Sequence, residues 1–321
     1  MLTPPTHEDV AAARERIAGR VVRTPTLASA RLDEIAGGRV LIKPECLQRT
    51  GSFKLRGATN AILQLTGTQR ARGIVAYSSG NHAQGVACAA ASLGARATIV
   101  MPADAPLVKV ESTRAWGAEV VFYDRLTEDR EAIAADVSAR TGAALIPPFE
   151  HPHVIAGQGT LALELAEDAG RLDVLLVCVG GGGMVAGCAL ALEGSGAAIW
   201  GVEPEGADDT RRSLAAGERV GNAPGGSQLC DALLSPSPGE LTFSINRGRL
   251  AGVAVVSDAE VLAAMAFAFR HLKLVVEPGG AVALAAALSG KLDLRGRTAG
   301  VVLSGGNVDP AVFSRAIGAG G

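Results

Sequence analysis

The sequence predicts an α/β protein built on parallel strands, and two observations carry that expectation. Short β-branched runs alternate with alanine-rich stretches of helical length, a rhythm in which each crossover helix returns the chain to a parallel strand. Several of the apolar runs also end in glycine, serine and asparagine just before the next helix. The carboxyl ends of parallel strands are where such sheets place ligands. With 321 residues the chain has room for roughly two domains. Its 48% hydrophobic residues include only 3% aromatics, which implies a core of alanine, valine and leucine.

The first stretch to carry chemistry is Lys43 to Ala58, where Gly51, Ser52, Phe53 and Lys54 join an apolar strand to a helix. A lysine at a helix start meets the positive end of the macrodipole, and an aromatic neighbour removes water. Both disfavour the ammonium, so the amine can form a Schiff base with an aldehyde. A surface lysine opening a helix has the same local sequence. Next comes the apolar run Gly73 to Tyr77, then Ser78, Ser79, Gly80, Asn81 and His82, ahead of a helix expected over Val86 to Leu93. Hydroxyls, an amide and free N–H groups at such a turn suit a carboxylate. They equally suit an ordinary N-cap.

The alternation continues through Ala97 to Val100, Leu107 to Trp116, Glu119 to Phe122 and Asp129 to Arg140. A strand expected over Val174 to Val179 then meets Gly180, Gly181, Gly182, Gly183 and Met184, before a helix starting near Val185. Four glycines remove every Cβ from the turn, so backbone N–H groups can converge on a phosphate at the helix N-terminus. No Gly-Lys-Ser/Thr follows and the Gly-x-Gly-x-x-Gly spacing is not clean, which argues against a nucleotide P-loop and a dinucleotide fold. Val174 to Leu192 carries no charge, close to the roughly 20 residues that span a bilayer. The glycine tract would break a lipid-exposed helix, so a buried strand, turn and helix are expected instead. Further on lie a strand over Ala198 to Val202, a strand over Gly252 to Val256 and helices over Asp258 to Leu272 and Gly279 to Leu288. The last strand ends in Ser304, Gly305, Gly306, Asn307, Val308 and Asp309. From the residues alone, either Ser304 or Asp309 could face a cofactor nitrogen.

Together these motifs resemble the fold-type II pyridoxal-phosphate enzymes, in the threonine/serine dehydratase and serine racemase branch. The likeness rests on Ser52-Phe53-Lys54-Leu55-Arg56-Gly57-Ala58, Ser79-Gly80-Asn81-His82, Ala156-Gly157-Gln158-Gly159-Thr160, the tetraglycine, Val202-Glu203-Pro204 and Ser304-Gly305-Gly306-Asn307, in that order over nearly the whole chain. It implies a tryptophan synthase β-like architecture of two open, twisted, mostly parallel sheets flanked by helices, with the active site between domains. Residues 1–72 and 151–321 would form the large cofactor-binding domain. Residues 73–150 would form a small inserted domain closing over substrate.

The resemblance also implies roles. Lys54 would be the Schiff-base lysine and the base for the substrate Cα proton, with Phe53 packed on the cofactor ring. Asn81 would hydrogen-bond the 3′-oxygen, and Gly180, Gly181, Gly182, Gly183 and Met184 would hold the phosphate. Ser304 would meet the pyridine nitrogen and leave it largely unprotonated, which suits β-elimination. Ser78, Ser79, Asn81 and His82 would form the substrate-carboxylate turn. Ser79 also stands where racemases carry a second acid/base, so some racemisation is an expectation. Arg130 aligns with an arginine of racemases and hydroxyaspartate dehydratases and could pair with a second substrate carboxylate. On general grounds it reads equally as an exposed arginine on a charged helix face. Glu203, the Ala207 carbonyl and Asp209 would hold a divalent cation, magnesium or calcium, with manganese a further fit. An acidic helix start is the other account of those residues. One departure is Ala232 after Asp231, where many relatives carry glycine, which leaves the substrate pocket open.

The resulting expectation is an ammonia-lyase converting L-threonine or L-serine to a 2-oxo acid and ammonia. Alternatives are a threo-3-hydroxyaspartate dehydratase, a serine racemase-type enzyme and, further off, a hydroxyectoine-degradation dehydratase or a β-replacement synthase. A net charge of −2 argues against nucleic acid or a membrane surface as partner. Five cysteines, mostly in apolar runs, read as reduced thiols of a cytoplasmic protein. No secretory signal is visible at the N-terminus. No regulatory C-terminal domain is expected after the last motif, and relatives imply a homodimer.

Overall fold

A computed structural model describes residues 2–105, 107–223 and 229–318. Ten strands are described: β1 (Leu27–Ala28), β2 (Arg39–Pro44), β3 (Ile74–Tyr77), β4 (Ala97–Pro102), β5 (Glu119–Tyr123), β6 (Ala144–Leu145), β7 (Val174–Cys178), β8 (Ala198–Pro204), β9 (Leu250–Val256) and β10 (Thr298–Leu303). They form a six-stranded sheet in the order β1-β2-β10-β7-β8-β9 and a four-stranded sheet in the order β5-β4-β3-β6. Only the β1–β2 pair is antiparallel. Helices cover the sheets, so central strands are apolar on both faces, and every residue of β7 and of β3 is buried.

The larger core gathers Ile42, Leu175, Val177, Val202, Val282 and Val301 around the six-stranded sheet. The smaller core gathers Ile74, Ile99, Met101 and Ala87. It also takes in Leu55, Ala58, Ala61 and Ile62 of the helix Lys54–Leu63. This helix packs between the helices Asn81–Ser92 and Pro152–Ala169, and its apolar residues share the smaller core. Small residues permit the closest helix contacts. A Cβ on Gly159 would sit 2.3 Å from the Gly187 carbonyl oxygen, so the helices Pro152–Ala169 and Gly183–Ala191 meet backbone to backbone there. The closest packing at these glycines is thus helix on helix. The helix expected over 258–272 stays α-helical only through Phe267, continues as a π-turn over Ala268–Leu272 and ends at Lys273 in the left-handed region (φ 60°).

A buried charge cluster ties the lysine-bearing helix to the larger sheet. Arg56 donates through Nε and Nη2 to Glu45, both at 2.8 Å, and through Nη1 and Nη2 to Glu164 at 2.7 and 2.8 Å. Lys43 donates to Glu164 and to the Thr24 carbonyl, both at 2.7 Å. Arg56, Lys43 and Glu45 are fully buried, and two cations balance two carboxylates. The geometry is the one in which a buried ion pair offsets its desolvation, since the remaining donors are also used. Removing one partner strands the others. Arg56→Met is expected to destabilise the protein by about 3–5 kcal/mol, read as a lower urea midpoint, with Arg56→Lys in between. An unchanged midpoint for Arg56→Met would contradict this account.

Candidate active site

Four chain turns reach one cavity between the two sheets. It is lined by Phe53 and Lys54, by Ser78 to His82, by Gly180 to Met184 and by Ser304, with Arg130, Asp231, Ala232 and Glu277 at its walls. The cavity therefore unites every residue the sequence assigns to catalysis, cofactor or substrate. The cation set lies elsewhere.

The lysine turn is stitched to the end of β10. Ser52 bridges Gly305, Phe53 N–H donates to the Ser304 carbonyl at 3.0 Å, and Gly306 N–H donates to the Gly51 carbonyl at 2.9 Å. Lys54 is the first residue of its helix, and its Nζ donates to the Pro148 carbonyl at 2.8 Å, 5.2 Å from the Phe53 ring centre. Burial, with no carboxylate beside it, lowers the amine to about 8. A usable fraction is therefore neutral and nucleophilic near pH 7.

Facing it, the helix Asn81–Ser92 starts without a side-chain cap. Ser78 Oγ accepts from Gly80 N–H at 3.2 Å. His82 Nε2 lies 2.8 Å from the Ile146 carbonyl. A carbonyl only accepts, so Nε2 carries the proton and Nδ1, buried without a partner, is an acceptor. Burial drives the ring down to about 3, keeping it neutral. The His82 side chain is thus no donor to a carboxylate, which leaves the turn's N–H groups as the donors available to one. Asn81 donates to Glu277 at 2.6 Å and accepts from Asn307 at 2.7 Å, which leaves one amide hydrogen free. Glu277, raised to about 7 by burial, is a wall residue that sequence reasoning misses. Its place between the apolar Val275-Val276 and the helix start Pro278 is the available signal.

Between β7 and the helix Gly183–Ala191 the tetraglycine makes its turn at Gly182, whose φ of 89° is left-handed, and the helix has no side-chain cap. Its first N–H groups lack a side-chain cap and are available to an anion. Ser304 Oγ accepts from the Cys178 thiol at 3.2 Å. Burial pushes that thiol up to about 11, so it stays a donor and the Ser304 hydroxyl keeps its own hydrogen for a ring nitrogen. Asp309, the other residue read for that nitrogen, is exposed and lines a second cavity instead. Arg130 stacks over Tyr77, 5.5 Å from guanidinium to ring centre, and makes no ion pair among the described residues. Ala232 belongs to the short turn Asp231–Leu233 at the wall. A desolvated amine, an uncapped glycine turn and a neutral hydroxyl fit an aldehyde, a phosphate and a pyridine ring.

The expected cation residues cluster beyond β8. Both Glu203 oxygens accept from the helix Asp209–Ala216, from Thr210 N–H at 2.9 Å and Arg211 N–H at 3.0 Å. Asp209 Oδ1 accepts from Asn222 at 2.7 Å, while its Oδ2 is buried without a partner. Burial raises Glu203 to about 8 and Asp209 to about 6. No group of three His, Cys, Asp or Glu side chains converges among the described residues. A cation here would need the Ala207 carbonyl and water, and the orphaned Asp209 oxygen fits one.

No described helix is long and apolar enough to cross a membrane. Comparison with known proteins finds relatives along nearly the whole chain. The chain is 48% identical over 305 residues to an L-threo-3-hydroxyaspartate ammonia-lyase of Pseudomonas sp, covering 94% of this chain and 95% of that one. The fold superposes on the structure of maize serine racemase with a TM-score of 0.93 at 37% identity, covering 99% and 98% of the two chains. It superposes on a threonine deaminase of T.th. with a TM-score of 0.88 at 45% identity, covering 95% and 99%. Residues 17–305 match the family model described as pyridoxal-phosphate dependent enzyme, and the chain belongs to that family.

Proposed function

We propose that the protein is an ammonia-lyase for a β-hydroxy α-amino acid bearing a second carboxylate, with L-threo-3-hydroxyaspartate preferred over L-threonine and L-serine. The observation that carries this is Arg130, a guanidinium without an ion-pair partner among the described residues, in the cavity wall. The hydroxyaspartate ammonia-lyase relative supports it. L-Threonine and L-serine remain the second reading, favoured by the threonine deaminase likeness.

Lys54, Phe53, Asn81, the glycines 180–183, Met184 and Ser304 would hold pyridoxal phosphate, which when bound supplies an electron sink that acidifies the substrate Cα–H. Lys54, neutral in part near pH 7, takes that proton. The N–H groups at the start of the helix Asn81–Ser92 bind the α-carboxylate. Arg130 binds the distal carboxylate through charge-assisted hydrogen bonds. The Cβ–O bond breaks, the hydroxide leaves as water after gaining a proton, and hydrolysis yields ammonia and a 2-oxo acid. Ser79, whose hydroxyl has no described partner, is the second proton carrier that would permit slow racemisation. We read residues 73–150 as the smaller domain whose approach to the larger excludes water from the cavity.

A divalent cation at Glu203, Ala207 and Asp209 belongs to this reading, neutralising two buried carboxylates. So does a cytoplasmic homodimer. Five free thiols support a reducing compartment. A monomeric mass by light scattering would overturn the assembly, and recovery outside the cytoplasm on fractionation would overturn the location.

Arg130→Ala should lower kcat/KM for hydroxyaspartate roughly 10- to 150-fold, the value of a charged hydrogen bond. It should leave threonine and serine within about threefold by the same yardstick. Equal losses on all three, or dominant threonine turnover by the unmodified enzyme, would return the second reading. EDTA should lower the melting temperature of the enzyme, with recovery on adding magnesium or calcium; indifference to EDTA would remove the cation. Because burial lowers Lys54 to about 8, uptake of cofactor by the cofactor-free protein should rise with pH with a midpoint near 8. A midpoint at the ordinary lysine value of about 10.4 would refute the desolvated amine.

A further inference from the structure

The tetraglycine turn is held from behind by residues that never reach the cavity. Thr242 Oγ1 donates to the Gly181 carbonyl at 2.7 Å, assisted by Gly239 N–H at 3.4 Å, and Asn246 Nδ2 donates to the Gly182 carbonyl at 3.3 Å. Thr242 and Asn246 stand four residues apart on the helix Glu240–Asn246, hence on one face. Thr242 is 0% exposed and Asn246 1%. The reverse Asn246 amide orientation would set two oxygens against each other. The helix is anchored in turn by Glu150, whose carboxylate accepts from Leu241 N–H at 3.0 Å and Thr242 N–H at 3.1 Å.

A trans peptide is planar, so the C=O of one residue and the N–H of the next point in opposite directions. Fixing the Gly181 carbonyl toward Thr242 turns the Gly182 N–H the other way, toward the cavity. The Gly182 carbonyl accepts from Ala186 N–H at 3.0 Å in the first helical turn, and Asn246 adds a second donor that holds the Gly183 N–H in the same sense. Four successive glycines otherwise have the widest conformational freedom of any sequence, and ordering them on binding would weaken anion capture.

We propose that Thr242 and Asn246 are positioning residues that pre-set the N–H groups of Gly182 and Gly183 for the phosphate of the cofactor. This rests on the reading that the glycine turn holds that phosphate. The test compares equilibrium binding of pyridoxal 5′-phosphate and of pyridoxal to the cofactor-free protein, followed by absorbance. Thr242→Val and Asn246→Leu should each weaken pyridoxal phosphate by up to about tenfold, the upper end for one neutral hydrogen bond. Pyridoxal binding should stay within about twofold, since it has no phosphate for those N–H groups to meet. Thr242→Ser, which keeps the hydroxyl, should bind pyridoxal phosphate like the unmodified protein. Unchanged phosphate-ester binding in both variants overturns the proposal, and so does an equal loss for both ligands, which would mark a general structural role. If the unmodified protein itself fails to prefer the phosphate ester, the reading of the glycine turn falls as well.

Discussion

The double clamp of Arg56 on Glu45 and Glu164 is the constraint on which the site depends. The helix that begins with Lys54 buries Leu55, Ala58 and Ile62 in the smaller core, alongside the helix Asn81–Ser92. Were that its only attachment, the lysine would travel with the smaller sheet. Arg56, two residues further on, locks the same helix to the end of β2 and to the helix Pro152–Ala169 of the larger body. A fork with its donors saturated by two carboxylates has one geometry, whereas apolar packing tolerates sliding. The amine is thereby indexed to the larger sheet, which also supplies the glycine turn and Ser304.

The same logic places the other groups. β10 and β7 are neighbours in the parallel sheet, so Ser304 and the tetraglycine leave it side by side at one edge. Between them Cys178, the last residue of β7, donates to Ser304. From the opposite side the short segment after β6 threads the cavity: the Pro148 carbonyl takes the Lys54 amine and Phe149 lies against the glycines. Glu150 caps the helix behind them. Three consecutive residues thus touch the amine, the anion turn and its support. Topology brings polar turns to one cleft, and glycine lets their backbones approach it.

Much of this is legible in the sequence. Long β-branched runs ending in glycine and serine announce β3, β7 and β10 and the turns after them, because turn chemistry and apolar periodicity are local signals. Lys54, Asn81, the glycines and Ser304 sit in such motifs, and the cavity gathers them. Ser304 and Asp309 cannot be separated from sequence, since which of two turn residues faces inward depends on how Gly305 bridges Ser52. His82 reads as a substrate group, but its donor is spent on the Ile146 carbonyl, a contact 64 residues away in sequence. Glu277, Thr242 and Glu150 act through long-range hydrogen bonds and carry no motif. The two-residue strands β1 and β6 are too short to show a period. The membership of the helix Lys54–Leu63 in the smaller core is likewise set by its neighbours and not by its own pattern.

Lys54 is proposed as the residue that binds the cofactor. Protein loaded with pyridoxal phosphate, reduced with borohydride and digested, would be mapped by mass spectrometry. A stable phosphopyridoxyl mass is expected on the peptide containing Lys54, and none in Lys54→Ala. The adduct on Lys43, Lys109 or another lysine, with Lys54 unmodified, would contradict it.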